Sequence, residues 1–370
     1  MQLVYLSPVP WASFAQRPHK FVEWFHARSG GKVLWIDPYP TRLPELSDLR
    51  RLRSGSSSTS RSQDVRVPPS WLRVVSPGAL PIEPINGVRI VNRFLWRSVF
   101  SEVKSFIDEN SCYLAIGKPS ELALQILKQY PELPSLYDAM DDFAAFYRGT
   151  SSNAMKRTEE KIVRRVGRLL VSSSALVSRF SKNIPAPILV HNACAKEMLP
   201  PLAQSITYPT EAVLGYVGTI ASWFDWSFIS ALATANPSSR VRLIGPIYAP
   251  PSVHLPNNIE LLPACDHAAA MRAMQTFSLG LIPFKINLLT SSVDPVKYYE
   301  YRALGLPVIS TNFGEMSLRG KQKGVLLLNE NAKLANLIEQ TTALRPSISE
   351  IEVFRSENTW EARFDSANLF

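Results

Sequence analysis

Two short stretches of the sequence have residue types and spacings that could do chemistry. In the first, Asp294-Pro295 makes a good helix start, which puts Lys297 in the first turn and Glu300 one turn later on the same face. A helix N-terminus offers unsatisfied N–H groups and the positive end of the helix dipole, which together suit a phosphate. Lys297 adds a point charge, and Glu300 can accept bonds from two neighbouring ribose hydroxyls. An isolated Lys-x-x-Glu would read as an ordinary exposed i, i+3 pair. Here the segment continues through Gly305-Leu306-Pro307 into an apolar strand, as a strand–helix–strand ligand site requires.

The second stretch is Tyr137-Asp138-Ala139-Met140-Asp141-Asp142-Phe143, three carboxylates within five residues just after a strand. Like charges this close raise at least one pKa, which suits a general base working near neutral pH. A helix N-cap with solvated neighbours is the next reading, and a divalent-metal site resembling DxxD comes last. Asp142 is read as facing solvent or capping a helix. Gln16-Arg17-Pro18-His19 follows the first strand, so Arg17 or His19 could hold a phosphate or orient an acceptor; a plain helix start with a surface histidine explains the same residues. His26, His254 and His267 show no ligand spacing and receive no role.

The elements that must position these residues alternate between strand and helix. Apolar runs at 3–6 and 32–36 flank an amphipathic stretch from Arg17 to Ala27, a βαβ unit. Strands follow at 72–75, 113–116, 134–137, 168–172 and 187–190, with helices at about 93–108, 119–130 and 152–167 and a short one after 172. Residues 195–210 are Pro-rich and aperiodic. The pattern then restarts, with strands at 213–217, 241–244, 259–262, 278–282, 307–310 and 325–328 and helices at about 225–235, 267–275, 295–304 and 332–342. A last helical segment covers about 348–369. Strands separated by helices imply parallel, doubly wound sheets, with ligands at the carboxyl ends of the strands. The expected organisation is a first domain over 1–194, a linker over 195–210, a second domain over 211–347, and a C-terminal helix over 348–370 returning to the first domain. Residues 50–64, rich in Ser and Arg, cannot bury a face and read as a loop.

Charge is unevenly placed in this chain of net charge +9. Residues 1–190 hold 26 Lys and Arg against 16 Asp and Glu; the other 180 hold 14 against 15. A basic first half suggests an anionic partner such as lipid headgroups or a lipid pyrophosphate, or simply a solubilising surface. No apolar run reaches the roughly 20 residues of a membrane helix, and the N-terminus reads as a buried strand, not a signal peptide. Trp11, Phe14 and the apolar residues around Trp96 and Phe100 could help membrane docking, although core packing explains aromatics equally. The three cysteines, Cys112, Cys194 and Cys265, lie far apart without a CxxC, which fits a reducing cytoplasm and suggests neither disulfides nor zinc.

The segment from Asp294 to Thr311 resembles the donor-binding signature of GT-B glycosyltransferases, written P-x-K-x-x-E-Y-x-A-x-G-x-P-V-[IV]-[AS]-T, found in many family 4 enzymes and in the xanthan glucuronosyltransferase group. The resemblance implies two Rossmann-like parallel-sheet domains facing a central cleft. It places Lys297 on the donor pyrophosphate and Glu300 on the ribose, with Tyr299 beside them. Gly215-Tyr216-Val217-Gly218-Thr219-Ile220 resembles the turn that opens the donor domain. Gly245-Pro246 and Pro263-Ala264 sit where loops border the base, usually uracil. His191-Asn192 stands in place of an Asn-Gly closing the first domain, and Trp360-x-x-Arg363 resembles the final helix. Many retaining members carry a first Glu eight residues before the ribose Glu; here that position is Ser292. In the xanthan group a Tyr-x-Ala-x-Asp occupies the acidic stretch, and its base maps onto Asp141, with Asp138 the second choice.

The implied function is transfer of a sugar from a UDP-sugar to a lipid-linked saccharide or polysaccharide acceptor, inverting, with an Asp base, no metal and no other cofactor, at the cytoplasmic face of a membrane. Arg17 and His19 would then stand on the acceptor side. A GT-B fold without activity, acting as a scaffold for polysaccharide assembly, and a nucleotide-sugar epimerase are the competing readings. A nucleic-acid partner is not expected, because no basic helix with base-reading residues or aromatic platform is evident.

Overall fold

The computed structural model describes residues 1–43, 66–85, 89–108, 111–202, 211–252, 254–328, 334 and 337–369. The loop read over 50–64 lies outside them. The chain divides into two compact units, one of Met1–Ser172 and Leu176–Val190, the other of Ser173–Ala175 and His191–Phe370.

Unit 1 is a seven-stranded, wholly parallel sheet. Its strands are β1 (Gln2–Leu6), β2 (Val33–Ile36), β3 (Leu72–Val75), β4 (Cys112–Ile116), β5 (Ser135–Ala139), β6 (Arg168–Val171) and β7 (Pro187–Leu189), in the order β3-β2-β1-β4-β5-β6-β7. Register is explicit: Leu6 lies beside Ile36 on one side and Ile116 on the other. Strands covered on both faces need continuous apolar runs, and β1, β2 and β4 are buried along their whole length. The connecting helices are α1 (Arg17–Ser29), α2 (Arg89–Leu95), α3 (Arg97–Asp108), α4 (Glu121–Gln129), α5 (Gly149–Val163) and α6 (Ser174–Phe180). The helix expected over 93–108 is two helices. Its interruption falls at Trp96, which is wholly buried against Tyr39, while Asn92 is tied in both directions to the backbone of Leu80.

Unit 2 is a six-stranded parallel sheet of β8 (Val213–Val217), β9 (Arg240–Ile244), β10 (Ile259–Leu262), β11 (Leu279–Ile282), β12 (Val308–Thr311) and β13 (Val325–Leu328), in the order β10-β9-β8-β11-β12-β13. Its helices are α7 (Trp226–Ala235), α8 (His267–Met274), α9 (Val296–Ala303), α10 (Leu337–Ala343), α11 (Ile348–Glu357) and α12 (Trp360–Ser366). Side-chain caps start several of them: Asp225 accepts from Phe228 N–H, Asp266 from Ala269 N–H and Thr359 from Ala362 N–H. In each sheet the strand order reverses beside the first strand of the unit, between β1 and β4 and between β8 and β11. These are the switch points where α/β sheets open a crevice at their carboxyl ends.

Close packing of α9 on the unit 2 sheet depends on one missing side chain. A Cβ on Gly280 of β11 would lie 2.3 Å from the ring of Tyr301, which is fully buried and whose hydroxyl accepts the Val217 N–H. Gly280→Ala is expected to cost about 1–3 kcal/mol by overpacking. Gly78→Ala, at an exposed site where a Cβ meets nothing within 4 Å, should change stability by under about 0.5 kcal/mol. Urea unfolding of the two variants checks the contrast, and equal effects would contradict this account of the helix packing.

Candidate active site

The carboxyl edge of the unit 2 sheet gathers residues from three separate elements. After β8 the chain turns at Gly218 (φ +153°) and after β9 at Gly245 (φ +145°), conformations that side-chain-bearing residues rarely adopt. The turns touch: a Cβ on Gly245 would lie 2.1 Å from the Gly218 carbonyl oxygen. On the other side of Gly218, the position its own Cβ would take is 3.7 Å from Lys297 Cε. Lys297 Nζ donates to Glu300 Oε2 at 2.5 Å, and His267 Nε2 donates to Glu300 Oε1 at 3.0 Å. The Glu300 side chain is only 6% exposed, and burial pushes its pKa up, yet the net value is lowered to about 2 by Lys297 and His267. The group is therefore a buried carboxylate that stays ionised. Among the described residues, the Val296 and Lys297 N–H groups at the start of α9 have no hydrogen-bond acceptor.

Behind this edge, Asp294 fastens the start of α9. Its carboxylate accepts the Asn192 N–H at 2.7 Å, the Tyr299 hydroxyl at 2.9 Å and Arg319 at 2.6 Å, while its carbonyl accepts the Asn192 side chain at 2.6 Å. Glu315 does similar work for the neighbouring turn, accepting Ser174 N–H and Oγ–H and His191 Nε2–H. Of the donor residues expected from the sequence, Gly218, Gly245, Lys297 and Glu300 come together. Thr219 adjoins them and its carbonyl accepts the Tyr216 hydroxyl. Tyr299 is buried, with its hydroxyl donating to Asp294 and accepting from Arg319. Ser292 is also buried, and its hydroxyl has no partner.

Unit 1 handles its acidic stretch by separating the three carboxylates. Asp138, fully buried, is held by Arg17 through Nε at 2.8 Å and Nη2 at 2.8 Å, and Arg17 Nη1 donates to the Val190 carbonyl at 2.7 Å. Asp142 pairs with Arg179 at 3.0 Å. The carboxylate of Asp141, half-buried, has no hydrogen-bond partner among the described residues, and desolvation raises its pKa to about 7; Asp138 and Asp142 add to the rise and Arg17 opposes it. His19, placed on the acceptor side in the sequence reading, is entirely buried between Trp11 and Trp35. Its Nδ1 accepts the Gln16 N–H and its Nε2 donates to the Trp11 carbonyl; burial, with Arg66 nearby, lowers its pKa to about 4. Both Arg17 and His19 thus commit polar atoms to the protein itself.

The other helix N-terminus at a switch point, that of α4, is already filled. Glu83 accepts the Glu121 N–H at 3.0 Å, Tyr39 takes the Leu122 N–H at 3.1 Å and donates to Glu83, and Ser120 caps Ala123. In unit 2, by contrast with α4, the Val296 and Lys297 N–H groups of α9 have no acceptor among the described residues. Sequence reasoning missed three contributors to that edge: His267, Arg319 and Glu315. His267 carried one signal, its place directly after an aspartate that caps a helix a short loop beyond a strand.

No family model matches the chain. A curated relative, a candidate teichuronic acid biosynthesis glycosyltransferase (TuaH) of Bacillus subtilis (strain 168), is 28% identical over 204 residues, covering 49% of this chain and 51% of that one. The chain thus spans about half the length of the curated relative it matches. Among solved structures, it resembles the sucrose-phosphate synthase (tll1590) of Thermosynechococcus elongatus, with a TM-score of 0.67 at 15% identity over 99% of this chain and 97% of that one. It also resembles Anabaena Alr3699/HepE in complex with UDP and glucose, with a TM-score of 0.65 at 12% identity over 100% and 99%. The fold is therefore GT-B, as the resemblance of the Asp294–Thr311 segment implied.

The state of Asp141 can be tested without any substrate. An unfolded Asp ionises near about 3.9, whereas the folded protein keeps Asp141 protonated up to about 7. The raised folded pKa means that this group's stabilising contribution is present at low pH and is lost as pH rises through about 7. Asp141→Asn stays neutral throughout. Its melting temperature should exceed that of the wild type by roughly a few degrees at pH 8, with the gap closing toward pH 4. A gap that does not change with pH would show that the carboxyl is not held protonated.

Proposed function

We propose that the chain is a glycosyltransferase that moves a sugar from a UDP-sugar to a hydroxyl of a lipid-linked saccharide or polysaccharide acceptor, with inversion at the anomeric carbon. The observation that carries this reading is the convergence of Gly218, Lys297 and an ionised Glu300 at the carboxyl edge of the unit 2 sheet. Lys297 and the open N–H groups of α9 suit a pyrophosphate, and Glu300 suits the ribose hydroxyls. The choice of UDP draws on the HepE structures, which hold UDP, UDP with glucose, and UDP-glucose. The choice of a polysaccharide acceptor draws on the name of the Bacillus relative.

Asp141 takes the acceptor's hydroxyl proton as the acceptor oxygen bonds to the anomeric carbon. The bond from that carbon to the phosphate oxygen breaks, and UDP leaves with its electron pair. Lys297 and the α9 N–H groups receive the developing charge, so the transfer requires no metal. A base with a pKa near 7 is matched to neutral pH. Ser292 stands in place of the sugar-contacting carboxylate of many retaining enzymes, which supports inversion.

A membrane contact is part of the same reading. Val91, Phe94 and Leu95 on α2 are exposed, Phe94 at 64%, and Arg93 and Arg97 are exposed beside them, with the Arg97 guanidinium 3.7 Å over the Phe94 ring. Trp96, by contrast, lies in the core. An apolar surface set among cations suits an anionic lipid bilayer. No helix among the described residues is long and apolar enough to cross a membrane, so the contact would be peripheral.

Calorimetric titration of UDP with EDTA present tests the donor site. Wild type should bind in the micromolar range and Lys297→Ala about 10–100-fold more weakly, the loss of one charge-assisted contact. Asp141→Asn should keep UDP affinity while transfer falls by about 10²–10⁴-fold. UDP binding by a wild type that transfers nothing would favour the scaffold reading. Co-sedimentation tests the surface: binding to phosphatidylglycerol vesicles, little to phosphatidylcholine vesicles, and loss on Phe94→Asp/Leu95→Asp. Equal binding to both vesicle types would end the membrane reading.

A further inference from the structure

Glu300 has two partners that differ in kind. Lys297 lies three residues earlier on the same helix, reaches through a flexible four-carbon stem, and has a side chain 23% exposed. His267 comes from another element: it is the first residue of α8, directly after Asp266, whose carboxylate accepts the Ala269 N–H at 2.7 Å and sets the backbone there. Its short side chain has two torsions, and Nε2 meets Glu300 Oε1 at 3.0 Å.

We propose that His267 is a positioning residue of the donor site, one that orients Glu300 toward the ribose and so sets the preference for a ribonucleotide over its 2′-deoxy counterpart. This rests on reading Glu300 as the ribose acceptor. When a pyrophosphate enters, Lys297 is the partner that can turn to it, because it already flanks Gly218. That releases Glu300 Oε2. A buried carboxylate stripped of both partners would rotate or take up a proton. His267, anchored on a separate helix, keeps one lone pair of Oε1 occupied and holds the carboxylate plane, leaving Oε2 and the second lone pair of Oε1 for two ribose hydroxyls. His267 need not touch the nucleotide.

The test is calorimetric titration of UDP and of 2′-deoxy-UDP into wild type, His267→Ala, His267→Gln, Glu300→Gln and the double variant His267→Ala/Glu300→Gln. Wild type should prefer UDP by about 10-fold or more, as one hydrogen bond to a charged group implies. His267→Ala should lose most of that preference, to within about 3-fold, while its affinity for 2′-deoxy-UDP stays within about 3-fold of wild type. His267→Gln, which keeps an N–H donor, should recover part of the preference. Once Glu300→Gln is present, His267→Ala should change the ratio no further. A preference that survives in His267→Ala overturns the proposal, and so does an equal loss of both nucleotides, which would mean that His267 merely supports the loop. Wild type that binds neither nucleotide overturns the donor-site reading and this proposal together; wild type that binds UDP without discriminating overturns the ribose role alone.

Discussion

An ionised carboxylate inside a protein must be supplied with partners, and Glu300 is the group on which the unit 2 edge depends. Taking such an ion out of water costs several kcal/mol unless hydrogen bonds and opposite charge offset it. Lys297 can serve only if α9 begins at Val296, about one turn before Glu300. That start is secured by Asp294, which gathers Asn192, Tyr299 and Arg319 around one carboxylate. Arg319 is itself buried, 3.9 Å over the Tyr298 ring, so a second charge is neutralised by the same pair. His267 can serve only if Asp266 caps α8, a short loop after the end of β10. The ligand-facing edge is thus the visible end of an ion network running back into the core.

The two units use similar sheets and similar helix N-termini to different ends. At the switch point of unit 1, the first N–H groups of α4 are consumed by Glu83, Tyr39 and Ser120. Burial raises the Glu83 pKa to about 7, so the plug itself is a marginal anion. A phosphate arriving there would have to displace a carboxylate already in place. In unit 2 the equivalent helix, α9, keeps its first N–H groups without acceptors among the described residues, and Lys297 lies beside Gly218. Hydrogen-bond supply alone therefore favours this end of unit 2 over the α4 end of unit 1 as a place for an added anion.

What the sequence made legible follows from the range of the interactions concerned. Strand 213–217 ends where its apolar run ends, because a strand covered on both faces is specified by its own residues. Lys297 and Glu300 were readable for the same reason: three residues on one helix fix their meeting. His267 meets Glu300 across 33 positions, and Arg17 meets Asp138 across 121, so no local pattern announces either pair. Arg17, at a helix start, read as a residue that could hold a phosphate or orient an acceptor. It is a core residue because the β1 and β5 ends converge, a fact of sheet order and not of spacing. The helix read as continuous over 93–108 divides because Trp96 must be buried, and burial is set by what surrounds it, here Tyr39.

The roles of the two decisive carboxylates can be separated by physical argument. Both are pushed toward protonation by desolvation, the first cause acting on each. They part over partners. Glu300 has a lysine and a histidine for its two oxygens and falls to about 2. Asp141 has only the distant help of Arg17, whose hydrogen bonds are already spent on Asp138 and the Val190 carbonyl, and it rises to about 7. An acid that ionises far below working pH is a permanent acceptor and suits a hydroxyl it must hold. One that ionises at working pH can exchange a proton and suits a hydroxyl it must activate. Arg17 draws that distinction within unit 1: its hydrogen bonds to carboxylate go to Asp138, and the Asp141 carboxylate is left with none among the described residues.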